Sequence, residues 1–264
     1  MVEVWLEGIG VWGPGMTGWP DCRARLAGEP GDGDYAPPPA AALSAQERRR
    51  STATARLAAE VAAQACTAAH RAPADYATVF SCSAGDLANV DAICRTLARD
   101  PRLLSPTRFH NSVHNAPGGY WGIAGGCEQP SNSIAAGADS FAVGLLEAAV
   151  QCAVEAAPVM LVAYDLPGPV PWDIVCGIEA GFGIALALSA AAVTGAKRLT
   201  LRHGAAAAAD VRLQDAALEK LRRGNPAARG LALLAALAAG NVHEVALAAG
   251  DNNLVIGISD DDGC

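Results

Sequence analysis

Aromatic residues are scarce in this sequence, at 5%, and charged residues fill only 17% of its 264 positions. A disordered chain would pair its shortage of aromatics with low hydrophobicity, but here hydrophobic residues reach 52% and much of that is alanine. A basic excess is missing too. The formal net charge of −8 argues against nonspecific nucleic-acid binding, which needs a positive surface. Positive charge is local, in Arg48, Arg49, Arg50 and Arg56 and again in Lys220, Arg222 and Arg223. These clusters read first as solvated helix faces and second as a docking patch for an acidic carrier protein. No CxxC pair occurs among Cys22, Cys66, Cys82, Cys94, Cys127, Cys152, Cys176 and Cys264, so no zinc site is expected, nor any other metal or cofactor. The thiols read as reduced and mostly buried, in a cytoplasmic protein without a disulfide framework. Met1–Gly10 carries Glu3 and Glu7 and no basic n-region, so it does not read as a signal peptide. No uncharged apolar run reaches the roughly 18 residues of a membrane span, so none is expected.

What is present alternates between strand and helix patterns. Val2–Val11 reads as a strand ending at Gly13-Pro14-Gly15, and Gly28–Ala42 as a loop. Ser44 with Glu47 predicts a capped helix running to about His70, apolar along Ala53, Leu57, Val61, Ala65 and Ala69. Tyr76–Ser83 is β-rich, a helix follows Gly85 to about Arg99, Pro101–Asn115 is loop-like, and Pro117–Gly126 is glycine-rich. Ser131–Ala135 reads as a short strand. Gly137–Ala156 reads as a long helix without a polar face, which must be buried between layers. Strands are predicted at Val159–Tyr164, Gly181–Ser189 and Arg198–His203, helices at Leu213–Leu221 and Leu231–Ala239. Val245–Ala248 and Leu254–Ser259 form a hairpin about Gly250-Asp251-Asn252. The alternation predicts a layered α/β fold.

Three segments, in order, resemble β-ketoacyl synthases. Glu3–Gly15 (EVWLEGIGVWGPG) resembles their opening strand and Gly/Pro turn. Leu104–Pro130 resembles their "SP-x-x-F-P-x-S-x-x-N-x-x-A-G" loop and the helix after it. Ser131–Ala148 resembles their strand and nucleophile helix, and Val159–Tyr164 with Asp165 stands where they carry "V-A-G-G-x-E". The sequence is most similar to the half-length chain-length factors of aryl polyene pigment clusters. That resemblance implies a thiolase-like αβαβα fold of two five-stranded sheets about a central helix. Residues 1–195 would be the ketoacyl-synthase-like N-terminal half, and 196–264 a shortened C-terminal portion packed on the same domain.

The resemblance also marks what is missing. The family's cysteine stands in a "T-A-C-S-S" turn at a helix N-terminus, where the dipole favours a thiolate. Aligned on Ile134–Ala138, that turn puts Gly137 in the cysteine slot, and glycine can form no thioester. Of His70, His110, His114, His203 and His243, none stands in the family's two catalytic histidine motifs; His203-Gly204 shares only the first two residues of "H-G-T-G-T". A non-catalytic subunit is therefore expected, paired with a full-length β-ketoacyl-ACP synthase and, through it, an acyl carrier protein. By the resemblance Asn132, Ser133 and Ile134 would pair across the dimer. The loop Phe109–Trp121, with Phe109, His110, Val113, His114, Asn115, Pro117, Tyr120 and Trp121, would line or cap the partner's acyl tunnel. Two alternatives stay open: an acyl-carrier thioesterase using Ser133, Ser140 or a histidine, and a homodimeric acyl-chain-binding protein. For Asp139 and Ser140, helix capping is the plainer role, and for Cys82 a place in the core.

Overall fold

The computed structural model describes residues 1–31, 33–205 and 212–260. Its strands are β1 (Val2–Trp12), β2 (Ala77–Ser81), β3 (Ser131–Ile134), β4 (Val159–Asp165), β5 (Phe182–Ser189), β6 (Lys197–Gly204), β7 (Glu244–Ala249) and β8 (Asn252–Asp260). The helices are α1 (Trp19–Leu26), α2 (Ala45–Arg50), α3 (Ala53–Ala69), α4 (Leu87–Arg99), α5 (Pro106–His110), α6 (Ala116–Gly125), α7 (Ser140–Glu155), α8 (Trp172–Cys176), α9 (Ala216–Gly224) and α10 (Leu231–Ala239).

Two separate five-stranded sheets are not what these strands build. They form one eight-stranded sheet in the order β3-β2-β4-β5-β1-β6-β8-β7. β2 runs parallel to both β3 and β4, and every other neighbouring pair is antiparallel. The first five strands make a complete half. β6 then adds to the free side of β1, pairing Val2 with Leu201 and Leu6 with Lys197, so the C-terminal strands continue the same sheet.

The sheet curls around α7, which touches β1, β2, β4 and β5 on one side and β7 and β8 on the other. The inner core therefore joins Phe141, Leu145, Leu186 and Leu188 to Leu199, Ile256 and the apolar α10. Across the first five strands a second core packs α3 and α6 on Phe80, Met160, Val162 and Tyr164. Gly10 makes the α3 contact possible. A Cβ there would lie 2.0 Å from the backbone oxygen of Val61, so only a bare strand backbone lets this alanine-rich helix settle so close. The outward face of β6-β8-β7 carries Arg198, Arg202, Glu244 and Ala248. Arg198 pairs with Glu3, Arg202 with Glu244 and Lys197 with Asp260. Among the described residues no fifth, helical layer covers that face.

Three local expectations are revised. Ser44 and Glu47 do form a reciprocal capping box, but the helix they start ends at Arg50. Ser51 is extended, and Thr52 caps a second helix by accepting from the Ala55 N–H. The stretch Pro101–Asn115 contains α5 rather than loop alone. Helix Gly137–Glu155 is long and apolar enough to cross a membrane by length and composition, yet it runs between the two parts of the sheet. Its burial is incomplete: Val150 and Val154 are exposed, 37% and 73%. Cys22, Cys66, Cys82 and Cys152 are buried and Cys94 is exposed, while Cys264 lies outside the described residues.

Candidate functional site

β3 ends at Ile134 and the chain turns through a short 3₁₀ segment, Gly137–Asp139, into α7. Gly137 has φ +55°, and a Cβ built there meets no atom of the described residues within 4 Å beyond its chain neighbours. The turn is fixed by Ser140, whose Oγ donates to the Gly137 carbonyl at 2.7 Å and accepts from the Ala136 N–H at 3.0 Å. Asp139 makes no cap bond. Its Oδ2 instead accepts from the Gly250 N–H at 3.0 Å, tying the turn to the β7–β8 hairpin.

Behind the turn lies Asp165, at the end of β4 and 1% exposed. Its Oδ1 accepts from the Ser83 N–H at 2.9 Å, the Ser83 hydroxyl at 2.7 Å and the Cys82 thiol at 3.4 Å. Its Oδ2 accepts from the Ala227 N–H at 3.1 Å. Burial pushes this carboxyl above the usual range, against the pull of Ser83. Burial likewise pushes the Cys82 thiol up, with the Asp165 charge adding to it, so Cys82 is an inert core thiol. Asn225, fully buried, donates to the carbonyls of Asp165 and Ala180 and accepts from the Ala228 N–H. Together these groups lock the β2–α4 turn, β4 and the 3₁₀ segment Ala227–Gly230 around one point. The partners are some 60 to 80 residues apart in sequence, so no local pattern announces them.

Histidine is absent from the lining of the pocket over Gly137. His203 lies on β6 with Nε2 3.3 Å from the Ala249 carbonyl oxygen, and His114 has Nε2 3.0 Å from that of Cys82. His110 stands on exposed α5, edge-on to Tyr120 at 6.4 Å. No hydrogen bond among the described residues joins His110, Ser133 and Ser140; the Ser133 hydroxyl is buried without a partner.

β3 lies at the sheet's edge, bonded only to β2 among the described residues. The Thr78 N–H donates to Pro130 and the Cys82 N–H to Ile134, so even-numbered residues face β2 and the N–H groups of Ser131 and Ser133 point outward. Helices α6 and α7 flank this strand on opposite sides of the sheet. Asn132 reaches Glu147 on α7 at 3.5 Å, which turns the Glu147, Val150 and Val154 stripe toward the edge. Ile123 on α6 is 73% exposed on the other side. An open edge beside exposed apolar side chains is a pairing surface in physical terms.

The loop residues divide sharply. Phe109 and Val113 are 63% and 48% exposed, and Asn115 is exposed at the start of α6 without a side-chain cap bond. Pro117, Tyr120 and Trp121 are buried in this chain's own core against α3. The Tyr120 hydroxyl donates to Asn111 Oδ1 at 3.0 Å. Ile134 packs on the inner core. The second basic cluster is largely neutralised: Glu219 takes both Arg222 and Arg223, and Lys220 pairs with Glu179 at 2.7 Å.

A mixed sheet of this order, wound around a central helix that starts at a tight turn after β3, defines a thiolase-like ketosynthase fold. The chain belongs to the β-ketoacyl synthase N-terminal domain family, which it matches over residues 21–255. Solved structures share the fold at low identity. One is a ketosynthase in complex with its chain length factor from Xenorhabdus doucetiae: 21% identity, TM-score 0.74, covering 97% of this chain and 100% of that one. Another is the ishigamide ketosynthase/chain length factor, with 13% identity, TM-score 0.70 and coverage of 98% and 99%. A β-ketoacyl synthase from Burkholderia phymatum has 10% identity, TM-score 0.65 and coverage of 98% and 100%. No curated protein sequence matches the chain.

Proposed function

We propose that this chain is a non-catalytic, chain-length-factor-like subunit. It forms a cytoplasmic heterodimer with a cysteine-bearing β-ketoacyl-ACP synthase and shapes that partner's acyl tunnel in polyketide or aryl polyene biosynthesis. In this reading residues 1–195 are the ketoacyl-synthase-like half and 196–264 a shortened C-terminal portion of the same domain. The observation that carries it is Gly137 at the strand-to-helix turn: it has room for a side chain and carries none, and no histidine lines the pocket above it. The open β3 edge, with Ile123, Val150 and Val154 beside it, supports a paired state. Phe109 and Val113 are the loop side chains free to enter a partner's tunnel, whereas Tyr120 and Trp121 serve this chain's core. Solved relatives that contain a ketosynthase with its chain length factor make such a partner the natural one.

The test is incubation with acyl-loaded carrier protein, followed by intact-protein mass spectrometry and by sizing with a full-length ketosynthase. The chain alone should gain no acyl mass. With the ketosynthase it should form a 1:1 pair burying more than about 2,000 Å², as obligate dimers do. A stable acyl adduct, or a monodisperse monomer indifferent to the ketosynthase, would overturn the reading.

A further inference from the structure

A surface pocket of about 250 Å³ lies over Gly137, between the Ser83-Ala84 turn, the end of α8 at Cys176 and the segment from Arg223 to Arg229. Among the described residues, two guanidinium side chains line it and no carboxylate does. Four other pockets of the chain are each lined by an acid: Asp86, Glu179, Asp215 and Asp260 respectively. Acids around the pocket over Gly137 are engaged elsewhere, among them Glu179 beside Gly224, which pairs with Lys220 at 2.7 Å. Glu219 holds Arg222 and Arg223 at 2.8 and 2.6 Å, Asp139 holds the Gly250 N–H, and Asp165 is buried behind Ser83.

Arg229 is the side chain left over. It is half-buried in the pocket wall and makes no hydrogen bond or ion pair among the described residues. A partly desolvated guanidinium with five unused donors is costly to leave alone, and its planar fork fits a carboxylate or phosphate edge. The floor is bare as well, because Gly137 offers no Cβ and nothing fills the space where one would stand.

We propose that this pocket is a non-covalent binding site for a small oxyanion, a carboxylate or a phosphate, gripped by Arg229. The site requires no partner chain, so it stands or falls separately from the heterodimer.

Cys176, which also lines the pocket, provides a reporter, and exposed Cys94 on α4 an internal control. The full chain is alkylated with anionic iodoacetate or neutral iodoacetamide, and the rate at each cysteine is read by peptide mass spectrometry. A pocket that concentrates anions raises the iodoacetate-to-iodoacetamide ratio at Cys176 at least about threefold above that at Cys94. Millimolar malonate or inorganic phosphate should slow Cys176 alone; whichever protects better identifies the natural source, an acyl carboxylate or a phosphate group. Arg229→Gln should bring the Cys176 ratio down to that of Cys94, while Arg229→Lys should keep most of the preference. If the glutamine variant fails to fold, competition on the unaltered chain decides. Equal ratios at both cysteines with no protection by either anion would overturn the site, and a preference that survives Arg229→Gln would remove Arg229 from it.

Discussion

The two ends of the sheet solve the same physical problem in opposite ways. Both β3 and β7 are edge strands. The β7 end is finished for water: the outward face of its strands holds paired charges at Arg198–Glu3 and Arg202–Glu244. The β3 end is unfinished, with outward N–H groups at Ser131 and Ser133 and bare apolar side chains at Ile123, Val150 and Val154. Charged, paired side chains are a standard device for keeping an edge to itself, and their absence leaves an edge available. One molecule thus carries charged pairs toward one end of its sheet and bare apolar side chains beside the other, and the difference lies in side chains.

That contrast can be broken most severely at the element both ends share. Phe141 on α7 is fully buried, and its ring lies 2.7 Å from where a Cβ on Gly230 would stand. Phe141→Ala should cost about 3–5 kcal/mol and weaken both ends together in chemical denaturation. A loss confined to one end would show that the two parts of the sheet do not share a core. Next in size, Ser133→Pro removes an outward N–H while sparing the ladder to β2. It should weaken association with a ketosynthase at least about tenfold, near 1.4 kcal/mol, with little change in the melting temperature of the isolated chain. Arg202→Ala at the other end should leave association unchanged and cost less than about 1 kcal/mol, because its ion pair with Glu244 is exposed. Equal effects from these two substitutions would erase the distinction.

Phe109→Ala tests the loop beside the β3 end. The ring is exposed, so the purified pair should stay assembled while its products lengthen or broaden by mass spectrometry. An assembled pair with unchanged products would take Phe109 out of the tunnel.

The smallest expected effect is in acid. Glu219 is held at about 2, below its ordinary 4.5, first by its hydrogen bond to Arg222. Its contribution is present above pH 4.5 and fades as pH falls toward 2. Asp165 has the opposite sign: its raised carboxyl favours the fold most below its ordinary 3.8, and that advantage is lost as pH rises through the raised value. Stability measured against pH should therefore change slope in opposite senses in Glu219→Gln and Asp165→Asn. Parallel changes would contradict the assigned directions.

Much of this was legible in residue patterns. The capping box at Ser44, the hairpin at Gly250-Asp251 and the apolar helix after Gly137 rest on short-range chemistry and stand close to where the sequence put them. The helix break at Ser51 is signalled by Thr52, a second cap directly after the first helix, and the apolar stripe begins only at Ala53, inside the second helix. α1 has its local signal too, with Pro20 and Asp21 in its first turn, but only eight residues and no apolar periodicity to support it. Other features could not be read locally. The addition of β6 to β1 joins residues nearly 200 positions apart, and the Asp165 cluster draws on three separated turns. In the loop Phe109–Trp121, three aromatics of similar size went to two destinations. Packing against α3, which the sequence does not display, decided which rings stayed inside.

Gly137 has one more consequence, for the bench. Its backbone sits in the left-handed region with open space around a Cβ, so a cysteine placed there would meet strain of roughly 1–2 kcal/mol and no clash at its Cβ. With no histidine lining the pocket, such a thiol would have little means of turning over an acyl group. Gly137→Cys, made in a chain whose Cys94 and Cys176 are replaced by serine, would make a tether: an anchoring point through which a carrier-bound chain, or a spectroscopic probe, could be fixed at the head of α7 and held there for measurement.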